Sequence, residues 1–176
     1  MANPLRVNAV ELLRRPGSER AIDLTVLVDD LGITDDRGIT DERLRAADPV
    51  QVHLRLESLT DGIVVNGTIE AVWHGICRRC AVTATGTTTS EVHELYQHLV
   101  TDPEAFELEG DQLDLEPMVR EIVLLDAPGS PLCRDDCAGL CPTCGIDRNT
   151  STCDCAPVVE DPRWAVLDQL RDIPDA

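Results

Sequence analysis

Six cysteines fall within residues 131–155, as Cys133, Cys137, Cys141, Cys144, Cys153 and Cys155, and a separate C-x-x-C pair is formed by Cys77 and Cys80. Two thiolates two residues apart on a tight turn can reach one ion, and zinc takes four thiolates in a tetrahedron at about 2.3 Å. The 131–155 stretch contains Pro, Gly, Asn and Thr but too few apolar residues for a core of its own. Metal is what would order such a segment.

Eight thiols divide into two sets of four. Cys141 and Cys144 form a knuckle in C-P-T-C-G, and Cys153 and Cys155 follow after eight residues, so these four can close one site locally. Cys77, Cys80, Cys133 and Cys137 remain, and a site built from them clamps the C-terminal segment to the middle of the chain across 52 intervening residues. Closing so long a loop restricts the unfolded chain strongly. Two other arrangements stay open: one set alone binds metal, or Cys133 or Cys137 swaps into the local site. A four-thiolate site leaves no position for water, so one or two zinc ions here would be structural. The competing chemistry is redox, because a C-x-x-C pair flanked by Arg78 and Arg79 has cations that lower thiol pKa values. The pair follows a strand pattern rather than opening a helix, which weighs against a thioredoxin-like site.

At 176 residues the chain suits one domain of ordinary size with a small appendage. The 43% apolar content includes one Phe, one Tyr and two Trp, so the core is expected to be aliphatic. The net charge is −18, and all 15 basic residues are arginine. An acidic surface opposes a broad grip on nucleic acid and suits basic protein partners. The stretch MANPLRVNAVELLRRPG has no apolar signal core, and no apolar run approaches the ~20 residues of a membrane helix. The expectation is a cytoplasmic protein with reduced thiols and no membrane partner.

Residues 5–15 have weak helical spacing through Leu5, Val10, Leu12 and Leu13, ended by Pro16 and Gly17. Residues 21–28 read as a strand, and 29–48 as a polar loop with a short helix possible near 41–47. Val50, Val52, Leu54 and Leu56 alternate on one face of a strand, Thr60-Asp61-Gly62 reads as a hairpin turn, and 62–76 returns. Cys77–Cys80 caps this hairpin, and the threonine-rich stretch 81–100 supplies a third antiparallel strand. Residues 101–116 hold seven acidic side chains and no basic one, which reads as a solvated loop, or less simply as a dock for a basic partner. A helix is expected from Asp114, with Pro117 in its first turn, Met118, Ile122 and Leu125 on one face, and a stop at Ala127-Pro128-Gly129. Asp161-Pro162 opens a last amphipathic helix through Trp164, Val166, Leu167 and Leu170. The expected class is α+β. An antiparallel-sheet region over 1–130 has an N-terminal arm and a helix. A zinc-stapled cysteine-rich segment over 131–176 carries the terminal helix packed on it.

Other chemistry is sparse. His53, His74, His93 and His98 are scattered and read as solvent-facing, with His74 a weak substitute ligand three residues before Cys77. No nucleophile elbow, phosphate loop or His–carboxylate motif is present, so no catalytic residue is assigned and an enzyme is the lesser class. Arg78, Arg79, Arg134 and Arg148 could form a small basic patch for RNA or a protein partner if metal gathers them. Plain solvation is the simpler reading, and no aromatic interleaving supports base stacking.

The order of these motifs resembles the YceD family: Cys77-x-Arg79-Cys80, then Pro131-Leu132-Cys133-x-x-x-Cys137-x-Gly139-Leu140-Cys141-Pro142-x-Cys144-Gly145, then Cys153-x-Cys155 and Asp161-Pro162-Arg163-Trp164-x-x-Leu167. The family often has asparagines after C-P-x-C-G; Asp147 stands at one such position and Asn149 keeps another. The resemblance implies a bacterial cytoplasmic factor that supports 23S ribosomal RNA accumulation and large-subunit assembly. Its partner would be a large-subunit ribosomal protein or an rRNA precursor, with no small-molecule substrate. The alternatives are a thiol- or metal-dependent enzyme, in redox or RNA processing, and a regulator that uses a zinc ribbon for contact alone.

Overall fold

The structure is a computed structural model that describes residues 3–33, 41–101, 103–156 and Arg163. The helix expected from Asp161 lies outside the described residues except for Arg163. The architecture is an antiparallel sheet with little helix. Strands β2 (Glu19–Leu27), β3 (Pro49–Ser58), β4 (Gly62–Ile76) and β5 (Thr83–Gln97) lie side by side in sequence order. A two-residue strand, β6 (Phe106–Glu107), pairs parallel with the end of β5.

Alternation sets which face is buried. Val50, Val52, Leu54 and Leu56 of β3 all point inward, paired with Ala71, Ile69, Gly67 and Val65 of β4. The opposite face carries polar side chains and meets solvent, as an antiparallel sheet permits. The core is aliphatic apart from the buried Tyr96, whose ring stacks on Phe106 at 5.1 Å and whose hydroxyl donates to the Asp114 carbonyl at 3.1 Å. The β3–β4 turn has Thr60 and Asp61 at its tip. Gly62 instead opens β4, because a Cβ there would sit 2.2 Å from the Tyr96 carbonyl oxygen.

Four sequence expectations need correction. The N-terminal stretch is β1 (Arg6–Asn8) followed by a four-residue helix, α1 (Val10–Leu13). Leu5, Val7 and Ala9 are buried alternately, a strand period that the later leucines mask. No helix forms near 41–47, where the chain makes turns. Residues 101–116 are no simple solvated loop: they contain β6 and β7 (Gln112–Asp114), and β7 pairs with β1. Leu108, Leu113 and Leu115 anchor them in the core while Glu104, Glu107, Glu109 and Asp111 are exposed, and Arg6 reaches Asp114 at 3.0 Å from the far end of the sequence. Helix α2 (Glu116–Asp126) forms where expected but buries Met118, Val119 and Val123, leaving Leu125 73% exposed. Its apolar stripe is rotated by about one position from the face expected.

The carboxyl end of α2 has no basic residue in its last turn. Arg43 supplies the charge from the 41–48 turns, donating to the Leu124 carbonyl at 3.1 Å and to that of Ala127. Asp41 holds the guanidinium at 2.6 Å, and that hydrogen bond keeps the Asp41 carboxyl below its ordinary range. A cation on helix-end carbonyls offsets the macrodipole and satisfies orphan acceptors. Arg43→Met is expected to cost about 1–2 kcal/mol in denaturant unfolding. The lowered Asp41 pKa adds stability that is present at neutral pH and lost as pH falls through that pKa. The wild-type margin over Arg43→Met should therefore shrink in acid.

Candidate metal centre

Strand β3 pairs with β4 only as far as Ala71, so Val72–Ile76 and Thr83–Thr87 continue as a two-stranded arm. The arm is braced where it leaves the sheet. The His74 backbone N–H donates to the Arg43 carbonyl at 2.8 Å, and His74 Nε2 lies 2.7 Å from Asp48 Oδ2. His74 is therefore a half-buried brace and belongs to neither cysteine set, contrary to its expected solvent-facing place. His53 meets Asp23 and His93 meets Asn66 on the outer sheet face, and His98 meets the Leu108 carbonyl.

The Cys77–Cys80 knuckle turns the chain at the tip of this arm. Cys77 N–H donates to the Val82 carbonyl at 2.8 Å and Ala81 N–H donates back to the Cys77 carbonyl at 2.9 Å. The second knuckle repeats the pattern: Cys141 N–H to the Ile146 carbonyl at 2.8 Å, and Gly145 N–H to the Cys141 carbonyl at 2.9 Å. Both need a left-handed residue just after the second cysteine. Gly145 supplies it at φ +74°, whereas Ala81 sits at φ +58° and is the described chain's one non-glycine residue with positive φ. An L-residue in that region costs about 1–2 kcal/mol.

The segment after α2 returns to the arm and docks on its tip. Pro131 sits against Gly75, where a Cβ would come within 2.7 Å of the proline ring. Arg78 N–H donates to the Pro131 carbonyl at 3.0 Å, and Leu140 N–H to the Arg79 carbonyl at 2.9 Å. The Arg79 guanidinium donates to the Cys137 carbonyl at 3.0 Å and the Asp135 carbonyl at 3.3 Å. Gly139, at φ +72°, lets the chain pass so close that a Cβ would lie 2.9 Å from the Arg79 carbonyl oxygen. Cys77, Cys80 and Cys137 form a small buried cluster with Leu132, separate from the main core.

This docking gathers the eight sulfurs into two sets, Cys77/Cys80/Cys133/Cys137 and Cys141/Cys144/Cys153/Cys155, with the sulfurs of each set within 4.8 Å of one another. The Cys77–Cys137 and Cys80–Cys133 separations are 3.9 and 3.6 Å. A tetrahedron of thiolates at about 2.3 Å from an ion has edges of about 3.8 Å. A disulfide needs about 2.05 Å, and all eight cysteines are free. Each set could hold one metal ion.

The sulfurs compete for negative charge. Burial pushes the Cys77 thiol up, but backbone N–H groups of Cys133, Cys80 and Arg79 outweigh it and bring it to about 6. N–H groups of Cys144 and Thr143 lower Cys141 to about 5. Burial and the neighbouring sulfurs push Cys133 up to about 12, and hydrogen bonds with Cys144 and Cys153 do the same for Cys155. One thiolate per set forms readily and the last is held back. A dication removes that competition.

The sequence reading passed over the role of Asn149. Its side-chain NH2 donates to Cys137 Sγ at 3.6 Å and to Asp147 Oδ1 at 2.6 Å, while its carbonyl oxygen accepts from Ala138 N–H at 2.8 Å and Arg134 at 2.7 Å. Arg148 points a guanidinium N–H at Cys141 Sγ, 3.7 Å away. Asn149 thus ties the local set to Cys137 of the arm set. The arginines singled out from sequence are divided: Arg79, Arg134 and Arg148 hold the segment together, and Arg78 is exposed at the tip. A cavity of about 740 Å³ lies at the opposite end of the sheet, lined by Arg14, Arg15 and Arg20 with Glu11 and Glu19.

Replacing Ala81 with glycine should relieve the left-handed strain. Ala81→Gly is expected to raise stability by up to about 1 kcal/mol in thermal unfolding, whereas Gly145→Ala should lower it by a similar amount.

Comparison with known proteins places this geometry. A family model described as large ribosomal RNA subunit accumulation protein YceD matches residues 65–171, which includes both knuckles and all eight cysteines. An uncharacterized protein of Mycobacterium tuberculosis is 32% identical over 97% of this chain and 83% of its own length. One from Mycobacterium leprae is 28% identical over 97% of this chain and 79% of its own. The large ribosomal RNA subunit accumulation protein YCED homolog 1, chloroplastic, of Arabidopsis thaliana is 30% identical over 38% of this chain and 21% of its own length. No solved structure matches. With the family model covering most of the chain and these relatives spanning its length, the chain belongs to the YceD family.

Proposed function

We propose that this chain is a non-catalytic cytoplasmic factor that supports 23S ribosomal RNA accumulation and large-subunit assembly, and that zinc at the two cysteine sets makes it rigid enough to do so. The carrying observation is the pair of four-sulfur clusters at the arm tip, in a chain whose family is described by large ribosomal RNA accumulation. Four sulfurs around an ion leave no coordination position for water, so the metal's work is to hold Cys77, Cys80, Cys133 and Cys137 together, and Cys141, Cys144, Cys153 and Cys155 likewise. Among the described residues no helix is long and apolar enough to cross a membrane. A net charge of −18 favours a basic large-subunit ribosomal protein as the direct partner, with the rRNA stabilised through it. Arg78, exposed at the tip, is the arginine of the four most available to a partner.

Elemental analysis under reducing conditions is expected to give two zinc ions per chain. Cys137→Ser should lower this to one, and a content of zero in the wild type would overturn the structural role. Metal binding requires thiolates, so each ion displaces the protons held on Cys133 and Cys155, and zinc should be released as pH falls from 7 towards about 5. Removing it with a chelator should abolish amide protection over 131–156 and at the arm tip while β2, β3 and the part of β4 paired with β3 stay protected. Affinity purification from cells should recover large-subunit precursors or large-subunit ribosomal proteins. Recovery of neither would sink the assembly role.

A further inference from the structure

Strand β5 is paired along its whole length with β4 on one side, but on the other side β6 meets only Tyr96 and Gln97. From Thr83 to Leu95 that edge has no strand partner among the described residues. The register shows which backbone groups face outward. Cys77 N–H donates to the Val82 carbonyl across the arm, and Leu108 N–H donates to the Gln97 carbonyl from the β6 side. Antiparallel pairing alternates, so even-numbered residues of β5 bond to β4 and odd-numbered ones turn N–H and C=O to the open edge. Thr83, Thr85, Thr87, Thr89, Glu91, His93 and Leu95 therefore present a free ladder about 40 Å long. Soluble proteins guard such edges with Pro, Lys, bulges or short strands. Residues 83–95 contain no Pro, the pairing with β4 runs without a break, and the charged guards the strand carries, Glu91 and Glu94, are acidic.

Carboxylates gather near Glu94 on this edge. No arginine occurs between Arg79 and Arg120, while Glu91 and Glu94 lie on β5, Glu107 on β6 and Glu121 on α2. Burial, together with Glu121 and Glu104 and against the opposing charge of His93, pushes the Glu94 carboxyl above its ordinary range. The other open edge, β2, is shorter at nine residues and begins beside the arginine-lined cavity.

We propose that the Thr83–Leu95 edge of β5 is a docking site for an extended, arginine- or lysine-rich segment of a protein partner, which adds to the sheet as a further strand. Backbone hydrogen bonds supply the affinity and the surrounding carboxylates select a basic chain. The inference rests on the assembly role above and names the surface and chemistry by which a basic partner is held.

The test uses the zinc-loaded chain and a ten-residue synthetic peptide alternating arginine and valine. Amides of Thr85, Thr87, Thr89, Glu91 and His93 should exchange fast in the free protein and slow by at least about tenfold with peptide. Those of Ala84, Thr88, Ser90 and Val92, already bonded to β4, should change little. The same peptide N-methylated at alternate residues, and a glutamate–valine peptide, should fail to protect. Thr87→Pro removes only an outward N–H, so the chain should fold and lose peptide binding by at least about tenfold. Equal binding by Thr87→Pro, or by the N-methylated peptide, would overturn the proposal. So would slow odd-numbered amides in the free monomer, a self-associated chain with those amides protected, or protection by an RNA oligonucleotide in place of the peptide. Recovery of large-subunit precursors by Thr87→Pro as efficiently as by the wild type would sink this edge and leave the assembly role standing. Recovery by neither would sink the role itself.

Discussion

The convergence of Cys77 and Cys80 with Cys133 and Cys137 is the constraint on which the rest of the arm depends. The two pairs are separated by 52 residues that include β5, the acidic stretch and α2. Their sulfurs meet only if the hairpin runs past the edge of β3 and α2 points its carboxyl end back toward the tip. Arg43 fixes that direction by holding the last carbonyls of α2 while its own carbonyl accepts from His74 on the arm. A cation in the sulfur cluster would add an attraction far stronger than any one contact in the segment, in a place with almost no apolar area to bury.

Both knuckles use one backbone device. The two turns have the same hydrogen bonds and the same left-handed residue, glycine in one and alanine in the other. Such a turn aims N–H groups at the first sulfur of each pair; these lower Cys141, and at Cys77 they add to the N–H of Cys133 from the docked segment. The alanine is tolerated because β4 and β5 enter that turn already in register and leave it no alternative path. Asn149 then joins the two units by reaching a sulfur of the other set, so the sites are mechanically coupled.

The acidic character of the chain has structural order behind it. Leucines at 108, 113 and 115 pin the stretch that holds many of the carboxylates, and from it Glu104 bears on Glu94 of β5. A rigid acidic rim beside a free ladder is a different object from a solvated loop. It has a direction, a register and a length that a partner must match.

Much was legible in order and spacing. Strict alternation from Val50 to Leu56, the turn at Thr60–Asp61 and the return over 62–76 specify the hairpin, because a period of two leaves one consistent register. Cysteine spacing points to the local set, four thiols within fifteen residues, while leaving open whether Cys133 or Cys137 joins it. Charge counting misread 101–116, because it weighs the acids and passes over three leucines that bury singly. Pattern reading also misplaced the face of α2 and missed β1, whose short period is lost beside the helical leucines at 12 and 13. What the sequence determined by itself is what local backbone geometry sets over long periods: the strands β2 to β5, the knuckles and the turn chemistry between them. The length of the arm beyond β3, the return of α2 to its tip, the bridge made by Asn149 and the bare edge of β5 were decided by tertiary structure. Each depends on which residues far apart in the chain end up adjacent, and no local period encodes that.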